Sequence, residues 1–276
     1  MTSPIDLLPP TLFVGQTVFV TGGGSGINLG IATTFARLGA DVAICGRSQE
    51  RLDAAAEQLR ELGAKVSAVA ADVRDAAAVS AAFSASEDEL GPASVVVCGA
   101  AGNFVAPAEK ISPNGFRTVV DIDLIGSFHT AHAAYRQLRE TRGCLLFISA
   151  GQAFLPFAYQ AHVGAAKAGT DHLMRNLALE WGRYGIRCNS IAPGPIAGTE
   201  GMRRLEEVAD EQTWLEMIPL GRYGQAEEIG AMAAVLASPI GAFVTGALVV
   251  VDGGQGLVGS STFNRAVDAV FAARQD

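Results

Sequence analysis

The sequence is poor in charge and has no basic cluster, and this shortage excludes several classes of protein. Charged residues make up 17% of the 276 residues, and the formal net charge is −8. A surface that neutralises phosphate backbones needs the opposite balance, so nucleic acid is not an expected partner. Hydrophobic residues make up 49% of the chain and glycines number 32, which provides for a large core and many tight turns.

Long hydrophobic runs and cysteine motifs are also missing. The apolar stretch Ala242–Val251 is too short to cross a bilayer and fits a buried strand. The first sixteen residues have no basic start and no uninterrupted apolar segment, so no secretion signal is predicted. Four cysteines lack C-x-x-C spacing and are interpreted as buried thiols: Cys45, Cys98, Cys144 and Cys188. We expect a soluble, cytoplasmic protein with no membrane partner and no metal site.

Short β-branched runs alternate with longer alanine-rich segments, which is typical of parallel βαβ units. Seven strands are predicted, at Thr17–Val20, Val42–Cys45, Val66–Ala70, Val95–Cys98, Leu145–Ile148, Arg187–Ile191 and Leu248–Val251. Helices are predicted between them, at Ile27–Leu38, Glu50–Leu62, Ala76–Leu90, Phe116–Glu140, Ala165–Trp181 and Glu227–Leu236. No linker divides these elements. Residues 1–276 are therefore predicted to form a single-domain α/β fold, a Rossmann-type doubly wound sheet of about seven parallel strands.

One long irregular stretch is predicted at Gly198–Met217, between the sixth strand and the last helix. It is rich in charge, and such stretches often act as lids over a substrate. We expect a lid-like insertion at about 198–217, where specificity would be set.

The first strand ends in a glycine loop, Thr21-Gly22-Gly23-Gly24-Ser25-Gly26-Ile27, that opens a helix. Backbone N–H groups and the helix dipole can approach a pyrophosphate there. A simple tight turn is the alternative. The position after the first strand of a repeated βαβ chain favours a dinucleotide site.

The end of the second strand indicates which dinucleotide binds. NAD-binding chains place an acidic residue here to accept from the ribose 2′-hydroxyl, but this chain has Gly46, followed by Arg47 and then Arg51. A 2′-phosphate would meet two cations and no carboxylate, which favours NADP(H). Solvated arginines at a helix start are the alternative. Asp72 can accept from the adenine amino group or cap a helix.

Several motifs resemble the short-chain dehydrogenase/reductase family across nearly the whole chain: TGGGSG at Thr21–Gly26, CGAAG at Cys98–Gly102, a helix with Lys167, PGPI at Pro193–Ile196 and DGG at Asp252–Gly254. The resemblance implies an enzyme, a homotetramer and a defined set of cofactor contacts. These are Gly22, Gly24, Ser25, Gly26, Ile27, Arg47, Ser48, Arg51, Asp72, Val73, Ala100, Gly102, Lys167, Pro193, Gly194, Ile196 and Thr199.

The departures from that family concern its catalytic residues. The family places an asparagine, a serine and a Tyr-x-x-x-Lys pair around the nicotinamide, and this chain keeps only Lys167. Val163 stands at the tyrosine position, Ala150 at the serine position and Asp123 at the asparagine position. Asn28 replaces the last glycine of the loop. The usual machinery for carbonyl reduction is therefore absent.

A subgroup of the family, the peroxisomal type of 2,4-dienoyl-CoA reductase, resembles this chain in these departures. The matching segments are Gly22–Ile27, Arg47–Arg51, Asp72–Arg74, Ala100–Phe104, Val120–Asp123, His162–Lys167 and Pro193–Leu205. The resemblance implies an acyl-CoA substrate, catalytic roles for Lys167 and Asp123, and substrate contacts from Arg74, Phe104 and Arg204, with Arg203 as a further cation. The final residues lack a peroxisomal tripeptide, so a cytosolic location is expected.

Conjugate reduction tolerates the missing tyrosine, because negative charge spreads onto the thioester oxygen and needs hydrogen-bond donors more than an immediate acid. Asp123 would position a water or act as the acid, and Tyr159 and His162 are other possible donors. Two alternatives stay open from the sequence. One is a reductase of a keto or enoyl substrate unrelated to CoA, and the other is a non-catalytic protein that binds NADP(H).

Overall fold

Seven parallel strands pair in the order β3-β2-β1-β4-β5-β6-β7. They are β1 Thr17–Thr21, β2 Asp41–Gly46, β3 Val66–Ala70, β4 Ala93–Cys98, β5 Cys144–Ile148, β6 Arg187–Pro193 and β7 Leu248–Val251. A computed structural model of the chain describes residues 3–200, 202–203 and 211–260. The single doubly wound α/β domain predicted from the sequence is confirmed.

Helices connect the strands and cover both faces of the sheet. They are α1 Gly26–Arg37, α2 Gln49–Glu61, α3 Ala76–Leu90, α4 Pro113–Val120, α5 Gly126–Thr141, α6 Ala161–Trp181, the short α7 Glu211–Glu216 and α8 Ala226–Ala237. Among the described residues, no helix is long and apolar enough to span a membrane.

Alternate residues of each strand point to opposite faces and join two separate hydrophobic clusters. In β1, Val18 and Val20 join the cluster beneath α1, α2 and α8, whereas Phe19 joins the cluster beneath α3, α5 and α6. Both faces are covered, which is why the strands are nearly continuous hydrophobic runs. The four predicted thiols lie in strands, free and buried, and burial raises the pKa of Cys45 to about 12.

The strand order reverses between β1 and β4, and this is where the site lies. Thr21, the last residue of β1, links the two strand ends. Its hydroxyl donates to the Val97 carbonyl at 3.2 Å and accepts the N–H of Gly99 at 3.0 Å. In open α/β sheets, ligands bind at the carboxyl ends of the strands beside such a reversal.

Three sequence predictions need correction. The predicted helix Phe116–Glu140 is interrupted by a π-helical turn at Asp121–Ile125. The predicted irregular stretch Gly198–Met217 contains the helix α7. The alternative role of Asp72 as a helix cap is wrong, because Asp75 caps α3 by accepting the N–H groups of Ala77 and Ala78.

Candidate active site

A cavity of about 790 Å³ opens at the carboxyl ends of the central strands. Every residue predicted to bind the cofactor lines it, as does Asp123. These residues come from the glycine loop, the ends of β2, β3, β4 and β6, and helix α6. The structure therefore brings residues that are distant in sequence into one continuous site.

The glycine loop is built to let a ligand approach the backbone. Gly22 has a φ of +71°, and its N–H donates to the Cys45 carbonyl at 2.7 Å. A Cβ at Gly22 would lie 3.0 Å from the Ala100 Cα, so a side chain does not fit. Ser25 precedes α1 without capping it through its side chain. The first N–H groups of α1 are thus suited to a pyrophosphate, and the residues present fit a dinucleotide.

Asn28, which replaces the last glycine of the loop, links α1 to the end of β4. Its Nδ2 donates to the Gly99 carbonyl at 2.8 Å. A Cβ at Gly99 would lie only 2.1 Å from the Asn28 Oδ1. The missing side chain of Gly99 therefore leaves the space that the Asn28 side chain occupies, and the hydrogen bond joins α1 to the end of β4.

The end of β2 presents cations to the cavity. Arg47 and Arg51 line it beside Gly46. Asp72 also lines it, but its carboxylate accepts from Arg74, with 2.6 Å between Oδ2 and Nη2. The Arg74 guanidinium holds the pKa of Asp72 below its usual value, with a smaller contribution from Arg47. Arg74 balances the charge of Asp72. The surface beside Gly46, which would face the 2′ substituent of a ribose, therefore keeps the positive charge of Arg47 and Arg51.

Lys167 and Asp123 form a buried ion pair in the cavity wall. Lys167 Nζ lies 3.2 Å from Asp123 Oδ2, and the two side chains are 8% and 1% exposed. The ammonium also donates to the Ile148 carbonyl at 2.8 Å, and Asp123 Oδ1 accepts the Gly102 N–H at 2.7 Å. The Lys167 contact is close enough for an ion pair, although its geometry falls short of a hydrogen bond. Removing one partner of such a pair costs about 3–5 kcal/mol.

The π-helical turn carries Asp123, and turns of this kind are frequent at functional sites. Two side-chain hydroxyls hold the backbone carbonyl of Asp123. That carbonyl accepts from the Ser127 hydroxyl at 2.6 Å and from the Thr170 hydroxyl at 3.2 Å. Thr170 belongs to α6, so the turn attaches the carboxylate to the helix that carries Lys167.

The positions of the family's tyrosine and serine hold apolar side chains. Val163 and Ala150 both line the cavity, and Val163 is 3% exposed. Tyr159 does not replace the missing donor, because its side chain is 58% exposed and lies outside the cavity lining. The side-chain donors that line the cavity together with Val163 and Ala150 include Ser149, Lys167 and the amides of Gln152 and Gln160.

His162, the other donor considered, lies behind the wall. It is fully buried, and its ring packs on Phe104 with 4.1 Å between ring centroids. Burial lowers the pKa of His162 below its ordinary value, and the Asp123 charge and the Phe104 backbone oppose this shift only in part. Neither ring nitrogen makes a hydrogen bond of normal geometry with the described residues. Neutral His162 is therefore a packing residue.

The predicted substrate residues are less well placed. Phe104 packs against the small apolar cluster around Val163, outside the cavity lining. Arg74 is engaged with Asp72, and Arg203 with Glu200 at 2.8 Å. Arg204 lies outside the described residues.

Sequence reasoning missed several cavity residues. Gln152 and Gln160 precede Val163 and line the cavity together with Asn103, and Trp214 of α7 and Gln255 line it as well. Gln160 is the residue before α6, where polar residues are common as helix caps, and Gln152 lies in a separate short helical turn. The spacing of three between Gln160 and Val163 was the only signal that could have drawn attention to Gln160.

Comparison with protein families identifies the class of protein. Residues 22–255 match the family model described as enoyl-(acyl carrier protein) reductase. The chain belongs to this family of short-chain dehydrogenases/reductases and is an oxidoreductase. Membership supports binding of a nicotinamide cofactor.

Two similar proteins are named peroxisomal 2,4-dienoyl-CoA reductase, (3E)-enoyl-CoA-producing. The protein from Saccharomyces cerevisiae is 43% identical over 255 residues, 91% of this chain and 87% of its own. The protein from Arabidopsis thaliana is 42% identical over 264 residues, 92% and 88% of the two chains. An NADPH-bound short-chain oxidoreductase structure from Pseudomonas aeruginosa PAO1, described as containing an atypical catalytic center, is 32% identical. It has a TM-score of 0.81 and covers 88% of this chain and 97% of that one.

Proposed function

We propose that the protein reduces 2,4-dienoyl thioesters of coenzyme A with NADPH by conjugate hydride transfer. The observation that carries this proposal is the Lys167–Asp123 ion pair beside Val163, where related enzymes have a tyrosine. The names of the yeast and plant relatives support the substrate class and a (3E)-enoyl product.

The missing tyrosine distinguishes two reactions. Reducing a ketone creates an alkoxide, which needs an acid of matched pKa at once, and Val163 cannot supply a proton. When a dienoyl thioester receives a hydride at its far carbon, the charge reaches the thioester oxygen as a dienolate. Hydrogen-bond donors stabilise that charge, and carbon is protonated afterwards. The cavity wall matches the second reaction.

Lys167 and Asp123 have different roles in this proposal. Lys167 holds the nicotinamide ribose and contributes positive charge near the forming dienolate. Asp123 accepts from the Gly102 N–H and faces the Lys167 ammonium, contacts that suit an ionised carboxylate. We therefore assign Asp123 to positioning Lys167 and a water, in preference to direct proton donation. A bound NADPH supplies the hydride.

The preference for NADPH rests on Arg47 and Arg51. Both line the cavity at the end of β2, and no carboxylate stands at Gly46 to repel a 2′-phosphate. Charge-assisted hydrogen bonds to that phosphate would be absent with NADH. The phosphates of coenzyme A need cations as well, and Arg74, Arg203 and Arg204 are the proposed contacts.

We also propose a homotetramer in the cytoplasm. Large apolar side chains are exposed on α5 and α6, where Phe128 is 45% and Leu179 is 84% exposed. A second exposed group lies beside the edge strand β7, where Phe243 is fully exposed and Val250 is 45% exposed. We propose these two surfaces as the subunit interfaces, because burial between subunits would remove both from water. Light scattering at micromolar concentration tests this, and a monomer would contradict it.

Steady-state NADPH oxidation with a 2,4-dienoyl-CoA tests the function. With NADPH deuterated at the transferring position, we expect deuterium at carbon 5 of a 3-enoyl product, identified by mass spectrometry and NMR. A protein that binds NADPH but does not oxidise it with this substrate would overturn the proposal. Oxidation only with keto substrates would instead support the reductase unrelated to CoA.

A further inference from the structure

Three side-chain amides form a chain of hydrogen bonds in the cavity wall. Gln152 Nε2 donates to Gln160 Oε1 at 2.7 Å, and Gln160 Nε2 donates to Asn103 Oδ1 at 3.1 Å. All three residues line the cavity, and Gln160 is only 4% exposed. Because its oxygen accepts and its nitrogen donates within the chain, the orientation of the Gln160 amide is fixed. Among the described residues, Asn103 supplies one acceptor, which leaves the second Nε2 hydrogen for a ligand.

The backbone before Gln160 is bent in an unusual way. Tyr159 has a φ of 66°, in the left-handed region that residues other than glycine rarely adopt. Its carbonyl accepts the Ala106 N–H at 3.0 Å, which ties this bend to the segment after β4. The Tyr159 side chain is largely exposed, so its own packing does not explain the bend. The bend turns the chain so that the next residue, Gln160, enters the cavity wall. Strained backbone of this kind concentrates at functional sites.

Gln160 is the N-cap residue of α6, the helix that carries Val163 and Lys167. It precedes Val163 by three positions and Lys167 by seven, which are about one and two helical turns. All three line the cavity. An amide N–H donates a hydrogen bond but does not give up its proton at neutral pH. It therefore suits a reaction that needs charge stabilisation, and it does not suit one that needs an acid.

We propose that Gln160 Nε2 donates a hydrogen bond to the thioester oxygen of the substrate, with Gln152 and Asn103 as positioning residues. The inference rests on the proposed function. When the far carbon receives a hydride, the π electrons shift toward the thioester oxygen and form a dienolate. The Gln160 N–H stabilises that negative charge and keeps its proton. A proton from water then adds to the carbon next to the thioester, which restores the carbonyl and gives the 3-enoyl product.

Kinetics of Gln160→Leu and its control test the proposal. Losing one such donor costs about 100-fold to 1,000-fold in turnover, so we expect that loss in kcat with an unchanged Kd for NADPH. Gln152→Leu removes only the hydrogen bond that orients the Gln160 amide, so kcat should fall about tenfold. Gln58→Leu is the matched control, because Gln58 is exposed on α2 and away from the cavity, and it should keep full activity.

Gln160→Glu keeps the size of the side chain and replaces the amide with a carboxyl group whose charge depends on pH. An ionised glutamate repels the dienolate and a protonated one donates to it, so activity of this variant should rise as the pH falls. A residue that only packs would not change the pH profile. If Gln160→Leu does not fold, this variant alone decides the outcome, and a wild-type profile would overturn the proposal.

A spectroscopic measurement makes the two proposals separable. A 2,4-dienoyl-CoA bound without NADPH should show a red-shifted dienoyl absorbance, because a hydrogen bond polarises its carbonyl, and the shift should shrink in Gln160→Leu. If the wild-type protein reduces the dienoyl-CoA, and Gln160→Leu keeps both the full activity and the full red shift, this inference alone is overturned. A wild-type protein without dienoyl-CoA activity would overturn the proposed function, and the inference with it.

Discussion

The Lys167 ammonium lies 3.2 Å from the Asp123 carboxylate, and both groups are almost completely buried in the cavity wall. Burying two charges is costly unless each is paired and hydrogen-bonded, and here Ile148 and Gly102 supply the additional contacts. The pair thus holds an ammonium at a fixed place beside Val163. Val163 stands at the position where the family usually has a tyrosine.

Asp123→Asn should slow turnover of a dienoyl-CoA by about 100-fold or more, because the water that Asp123 positions relays the proton and this is the usual scale for losing assisted proton transfer. The amide can still accept from the Gly102 N–H, but it no longer balances Lys167 or orients a water through a negative charge. Steady-state kinetics and an NADPH titration measure the effect, and cofactor affinity should change little. Asp121→Asn, two residues earlier in the same turn but outside the cavity lining, is the control. Unchanged turnover in Asp123→Asn would reduce Asp123 to a packing role.

Arg47→Ala should reduce the preference for NADPH over NADH. A hydrogen bond to a charged group contributes about 1.5–3 kcal/mol, which corresponds to roughly tenfold to a hundredfold in affinity. Fluorescence titration of both cofactors measures it. Lys65→Ala, at the opposite end of the sheet, should leave both affinities unchanged. Equal affinity of the wild-type protein for the two cofactors would contradict the assignment.

Gly99→Ala should destabilise the protein by about 1–3 kcal/mol, the usual cost of overpacking. The new Cβ would lie 2.1 Å from Asn28 Oδ1, and the three nearest atoms all belong to Asn28. The double variant Gly99→Ala with Asn28→Gly should recover most of that stability. Denaturant unfolding of the two single variants and the double variant measures this coupling, and additive losses would show that the two residues are independent.

His162 should make stability depend on pH. Burial lowers the pKa of His162 in the folded protein, so the unfolded chain binds more protons once the pH falls below about 6.5. The free energy of unfolding should therefore decrease as the pH falls from 7 to 5. In His162→Phe this part of the decrease should disappear. Thermal unfolding across that range is the measurement, and parallel curves for the two proteins would refute the expectation.

Strand positions could be predicted from the sequence, because strands buried on both faces are continuous apolar runs bounded by turns. The bounds of β3, β7 and α3 agree with those predicted. The glycine loop and the cations at the end of β2 line one cavity, since parallel strands bring their carboxyl ends together.

Other features depend on contacts that the sequence does not display. The π-helical turn at Asp121–Ile125 keeps a helical pattern of residues, and the hydrogen bond from Thr170 to the Asp123 carbonyl forms only when α6 packs against this turn. Gln160 resembles an ordinary polar residue at a helix start. Its inward position follows from the left-handed backbone of Tyr159, which residue type alone would not predict.

The specificity ratio between two substrates tests the central claim most directly. It compares kcat/KM for a 2,4-dienoyl-CoA and for a 3-ketoacyl-CoA of the same chain length, with NADPH and the unmodified protein. We predict a ratio above about 100, because a missing general acid costs the ketone reaction about that much or more. Comparable values, or faster reduction of the ketone, would contradict the account. A general acid would then have to act in place of the tyrosine and serine that Val163 and Ala150 replace.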